Sequence, residues 1–217
     1  MLPFRDRQDA GQQLAGALRA YADRGDVVVL GLPRGGVPVA FEVARALRAP
    51  LDVFVVRKLG APWHPEFAIG AIAAGGVRVV NQEAIEELGI SPAVVDEVAA
   101  RESRELDRRD RAYHAHRPKP DVAGKTVIVI DDGLATGATM EAAVSALRIL
   151  KASRIVAAAP VGARESCQRL GTIADEVVCL EMPEPFNAVG LWYRQFDQTS
   201  DAEVIELAAH DFSRAPF

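Results

Sequence analysis

The sequence has little of what would mark a disulfide scaffold, a membrane span or a nucleic-acid surface. Only two of its 217 residues are cysteine, Cys167 and Cys179. They stand in no metal-ligand spacing, and both read as reduced core residues. Aromatic residues make up 6% of the chain, and no apolar run approaches the ~20 residues of a membrane helix. Positive charge is not in excess: 25 Lys and Arg against 30 Asp and Glu leave a net charge of −5. That balance argues against a general nucleic-acid or membrane-surface binder, and no helix-turn-helix module is evident. The opening MLPFRDRQDAG turns charged at once, so no secretory leader is expected and the reading is cytoplasmic. The four histidines, His64, His114, His116 and His210, have no metal spacing with acids or cysteines. Nor is there an internal repeat, an H-E-x-x-H or a G-x-S-x-G.

What is present is an alternation. The hydrophobic fraction is 49% and the charged fraction 25%, as in an ordinary globular protein. Asp9 followed by Gln12 resembles a capping box, with Leu14, Leu18 and Tyr21 on one face of the helix beyond it. Val27 to Leu30 reads as a buried strand running into the glycine loop Gly31-Leu32-Pro33-Arg34-Gly35-Gly36. A helix is predicted over 37–47 and a second buried strand over 51–56, broken by Arg57-Lys58-Leu59-Gly60-Ala61-Pro62. Residues 68–73 and 77–81 are expected to pair as a hairpin across Ala74-Gly75-Gly76. Ser91-Pro92 opens a helix that runs through Arg111 and ends at Arg117-Pro118-Lys119-Pro120. Strands over 126–131, 154–161 and 176–181 alternate with helices over 138–150, 163–170 and 201–209. Such alternation predicts an α/β fold, a parallel sheet of five main strands covered on both faces in three layers. One domain spans 1–217, with residues 60–121 as a flap or insertion and 183–217 as a small hood and C-terminal helix.

In an open parallel sheet, ligands bind beyond the carboxyl ends of the strands, and the unusual residues lie there. In Val127-Ile128-Val129-Ile130-Asp131-Asp132-Gly133-Leu134-Ala135-Thr136-Gly137-Ala138-Thr139, four apolar residues form a strand and two acids emerge from it. A small-residue turn then opens a helix. The turn lets backbone N–H groups approach a phosphate, and the helix start favours an anion. Adjacent carboxylates raise one another's pKa unless hydroxyl donors or a cation offset their charge. Ribose hydroxyls, or magnesium held through them and water, would do so. A Walker A loop would need lysine where Ala138 stands. Gly31, Gly35 and Gly36 do not match a dinucleotide fingerprint.

This stretch resembles the phosphoribosyl pyrophosphate (PRPP) signature of the type I phosphoribosyltransferases. The resemblance implies the fold of that family and an enzyme that transfers a phosphoribosyl group, with magnesium, to a small-molecule acceptor. It implies that Asp131 and Asp132 hold the ribose hydroxyls and organise magnesium. Ala135, Thr136, Gly137, Ala138 and Thr139 would hold the 5-phosphate. The loop carrying Arg34, Gly35 and Gly36 looks like the family's pyrophosphate loop, and Arg57 and Lys58 like the basic segment of adenine-type enzymes. Catalysis would rest on Arg34, Arg57, Lys58, Asp131 and Asp132. Ala135 occupies the place of a catalytic aspartate found in hypoxanthine-guanine enzymes, so that carboxylate is lacking. Phe4-Arg5-Asp6-Arg7 and the late Phe186, Trp192 and Tyr193 resemble a bacterial subgroup of uncertain substrate.

The remaining candidates are weaker. His64, in Pro62-Trp63-His64-Pro65-Glu66-Phe67, could line an acceptor site or belong to a plain surface loop. Phe186, Trp192 and Tyr193 could cover an acceptor ring or pack in the core. The charges from Asp107 to Arg111 read as a solvated helix face; Arg117 and Lys119 would approach PRPP if the flap closes. The rival readings are a PRPP-binding regulator that performs no transfer and, less well matched, a ribose-phosphate diphosphokinase, which uses two related domains. No nucleic acid or membrane is expected as partner, and a homodimer is left open.

Overall fold

The computed structural model of the chain describes residues 3–74, 76–115, 121–210 and 212. His116, Arg117 and Lys119 lie outside the described residues. In chain order the elements are α1 (Arg7–Ala17), β1 (Val27–Gly31), α2 (Gly36–Leu47), β2 (Leu51–Val53), β3 (Val56–Ala61), β4 (His64–Ala73) and β5 (Val77–Val80). They continue with α3 (Gln82–Glu87), α4 (Pro92–His114), β6 (Thr126–Ile130), α5 (Ala138–Ile149), β7 (Arg154–Val161), α6 (Arg164–Leu170), β8 (Glu176–Glu181) and α7 (Asp201–Ala208).

The unbroken apolar runs become one parallel sheet in the order β2-β1-β6-β7-β8. Successive strand residues point to opposite faces, so each run feeds two cores. Val27, Val29, Ile128, Ile130 and Val156 pack under α1 and α2 against Leu14, Leu18, Val43 and Leu47. Val28, Leu30, Val127, Val129 and Ile155 pack on the other face against Met140, Val144 and Leu147 of α5 and Leu170 of α6. Burial on both faces is what continuous valine and isoleucine runs require, and it yields the three layers.

A second sheet, β3-β4-β5, is antiparallel and stands apart from the first. Its apolar face shares a core with α4 and α7: Leu59, Ile69 and Ile72 join Val98, Leu106 and Val204. The expected hairpin is present, with Ala73 opposite Val77. Two local expectations are corrected. The Arg57–Pro62 stretch does not simply break a strand; most of it is β3. The parallel strand stops at Val53, and the apolar run continues into the second sheet, where Val56 pairs with Ala73. An apolar run does not specify which sheet it joins, because pairing is decided by the partner strand. The first helix is capped by Asp6, whose carboxylate accepts from the Asp9 amide at 2.8 Å. Asp9 in turn accepts from the Arg5 amide at 2.9 Å, so the cap lies one turn earlier than Asp9–Gln12. Ser91 has the extended backbone of an N-cap, but its side chain makes no cap bond. Among the described residues, no helix is long and apolar enough to cross a membrane.

Candidate active site

β1 and β6 are adjacent and parallel, so the loops leaving their carboxyl ends lie side by side. The Leu32 amide donates to the Ile130 carbonyl at 2.9 Å and ties the first loop to the end of β6. Two glycines then allow an approach no larger residue permits. A Cβ on Gly36 would sit 2.5 Å from the Ile130 carbonyl oxygen, and one on Gly35 would sit 1.9 Å from Oδ2 of Asp132. The Pro33–Arg34 peptide between them and β1 is cis. Arg34 is half-buried and, among the described residues, forms no ion pair.

The second loop is held from behind. Ser166 donates its hydroxyl to the Ala135 carbonyl at 2.7 Å, and Arg169 donates to the Thr136 carbonyl at 2.6 Å. Gly137 takes φ 73°, a left-handed backbone that favours glycine, and then starts α5. With the carbonyls tied to α6, the amides of Ala135, Thr136 and Gly137 have no protein acceptor among the described residues. The helix start offers the same unpaired amides and positive dipole end. Thr136 and Thr139 are exposed beside them. This loop can hold an anion.

The two acids differ. Asp131 turns its carboxylate back on the Asp132 amide at 2.9 Å. Burial at the cleft floor, and then the neighbouring Asp132 charge, push its carboxyl well above the ordinary aspartate value. Asp132 already has a cation: Nε of Arg7 in α1 lies 2.8 Å from its Oδ2. Arg7 also donates to the Asp197 carbonyl at 2.6 Å and lies 4.0 Å over the Phe196 ring. Sequence reasoning assigned Arg7 no role. It lies in the Phe4–Arg7 segment, yet only the fold brings it to an acid 125 positions away. Among the described residues no group of three or more His, Cys, Asp or Glu forms a metal cage. The donor set is a pair of carboxylates, which suits a hard cation held mainly through water and ligand oxygens.

The other candidates fall in three places. Tyr193 is buried and donates its hydroxyl to the Asp132 carbonyl at 2.6 Å. Burial, and then the Asp132 charge, raise its phenol. It stacks on Phe196 at 4.9 Å, and Phe186 and Trp192 pack beside it with Phe4. Arg57 points to α4, its Nε 2.7 Å and Nη2 2.6 Å from Oε2 of Glu102. Lys58 lines a cleft of about 210 Å³ between the antiparallel sheet and α5, with Gly70, Asn81, Ala138 and Glu141. His64 sits at the exposed end of the β3–β4 hairpin opposite Ala61, next to Trp63, which is 57% exposed. The structure thus brings the two loops and the acid pair together and places His64 on the outer lobe. In the Asp107–Arg111 run, Arg108 and Arg109 pair with Glu105 on their own helix.

An open parallel sheet with a carboxylate pair and two glycine loops at adjacent strand ends defines an α/β domain with a polar cleft at the carboxyl edge of its sheet. The phosphoribosyl transferase domain family matches residues 62–194, which include the acids and the second loop. A Mycobacterium tuberculosis protein provisionally named a phosphoribosyl transferase is 48% identical over 215 residues, 98% of this chain and 48% of its own length. The chain therefore spans about half the length of the curated relatives it matches. A solved Thermus thermophilus protein is 44% identical, with 95% of this chain and 98% of that one covered and a TM-score of 0.89. An Aquifex aeolicus structure, 14% identical with 85% and 78% covered, shares the fold at a TM-score of 0.51. The chain belongs to the phosphoribosyl transferase domain family.

Proposed function

We propose that this domain transfers the 5-phosphoribosyl group of PRPP to a small-molecule acceptor and releases pyrophosphate. One observation carries the reading: the unpaired amides of Ala135 to Gly137, the acid pair and the Arg34–Gly36 loop share the carboxyl ends of neighbouring strands. That set of groups suits a molecule with a phosphate at one end, hydroxyls in the middle and a second anionic group at the other.

The amides, with the Thr136 and Thr139 hydroxyls, receive the 5-phosphate. Asp131 and Asp132 accept hydrogen bonds from the ribose hydroxyls and hold the sugar. Arg34 and the loop amides bind the pyrophosphate as its charge develops, and Arg57 and Lys58 add to it once Arg57 leaves Glu102. The bond from the anomeric carbon to pyrophosphate oxygen breaks, and one to the acceptor forms. Magnesium, when bound, neutralises pyrophosphate charge, and Asp131 and Asp132 would hold it through ribose hydroxyls and water. A nitrogen acceptor needs little help from a general base. Phe186, Trp192 and Tyr193 close the hood side, and the acceptor is a nucleobase or another small amine.

Calorimetry with PRPP and magnesium tests the site. Binding is expected in the wild type and a loss of about 100-fold or more in Asp131→Asn/Asp132→Asn, the scale of several charged hydrogen bonds. Equal binding by both proteins would reject the reading. Pyrophosphate release over a panel of bases and amines tests the reaction; tight PRPP binding with no turnover on any acceptor would favour a regulator.

A further inference from the structure

We infer that Arg7 is a positioning residue of the sugar site, a built-in counter-ion that holds Asp132 ready for the ribose before magnesium arrives. The inference rests on the proposed PRPP reading. Its evidence is the set of contacts around one guanidinium. Nε lies 2.8 Å from Oδ2 of Asp132, with the two side chains 13% and 17% exposed. A charge-assisted bond in such a sheltered place is stronger than a surface pair. The other end is fixed: Nη1 donates to the Asp197 carbonyl at 2.6 Å, and the Phe196 ring lies 4.0 Å away. A cation over an aromatic face is favourable, and more so when partly desolvated. Phe196 is itself stacked on Tyr193, whose hydroxyl holds the Asp132 carbonyl.

Asp132 is therefore gripped at its side chain and at its backbone by one continuous unit formed from α1 and the hood. The acid has little room to turn, because Oδ2 rests against Gly35 of the neighbouring loop. A neutral residue at position 7 would leave two adjacent carboxylates with no ion-paired cation among the described residues. Their repulsion would then have to be offset by metal alone. Arg7 thus lowers the magnesium needed for the sugar phosphate to bind, and it links the hood to the sugar without touching the reacting carbon.

The test is calorimetric PRPP binding over a magnesium series for wild type, Arg7→Met and Arg7→Lys. At low magnesium, Arg7→Met is expected to bind about tenfold or more weakly, the worth of one charged hydrogen bond. The gap should narrow as magnesium rises, and Arg7→Lys should recover part of the loss. In steady state, KM for PRPP should rise more than kcat falls. An Asp132→Asn background should erase the effect of Arg7→Met, which separates this role from general damage to folding. A loss that is equal at every magnesium concentration, or no loss, overturns the inference while leaving the proposed function standing. A wild type that binds no PRPP at any magnesium concentration overturns both.

Discussion

In the parallel sheet, Ile128 and Ile130 are wholly buried between two helical layers, whereas in the antiparallel sheet's surroundings Trp63 is 57% and Phe67 48% exposed. The first region is held by burial on both faces. The second has one buried face and leans on charge pairs, Arg57 with Glu102 and Arg78 with Asp96. The acid pair and both glycine loops spring from the first region; Arg57, Lys58 and His64 ride on the second. On the proposed function, the element buried on both faces carries the groups that meet the sugar phosphate, and the lobe with one buried face carries basic groups that approach afterwards.

The largest effect is expected for Ile128→Ala, which deletes a buried side chain shared by β6 and the α1–α2 layer. It should cost about 2–5 kcal/mol in denaturant unfolding. A cost near zero would mean that the parallel sheet is not the stable half.

A smaller effect is expected at the joint between the regions. His114, at the end of α4, lies 3.2 Å from Asp52 of β2 and 3.0 Å from an Asp110 oxygen. Burial opposes its charged form, but the Asp52 and then the Asp110 carboxylates outweigh it and raise the imidazole above the ordinary value of 6.5. A raised folded value means that this contribution is fully present below pH 6.5 and fades as pH climbs through the folded value. Thermal melts from pH 6 to 9 should show that decline in the wild type and lose it in His114→Gln; identical profiles would remove the joint's charge from the account.

The smallest effect is expected for Glu102→Gln. The pair is partly open to solvent, so its loss should cost less than about 1 kcal/mol. A larger drop in melting temperature would show the lobe to be welded to α4, and Arg57 would then not be free to serve the cleft.

Much of the fold was legible along the chain. Runs such as Val27–Leu30 and Val127–Ile130 read as strands buried on both faces because they are short, rich in β-branched residues and bounded by turn residues, and helices must cover what they expose. The acid pair was legible for the same reason: Asp131 and Asp132 follow directly where such a run ends, and strand ends in a parallel sheet open on a cleft. Local chemistry likewise marked the Thr136–Gly137 turn. Only the tertiary structure decided that Val56–Ala61 leaves the first sheet for the second, because a strand's partner is chosen by packing far along the chain. Only it brought Arg7 to Asp132 and Tyr193 to the same acid's backbone. Those meetings join the two ends of the chain across the sheet, and a charge or a hydroxyl carries no mark in sequence of the distant group that will satisfy it.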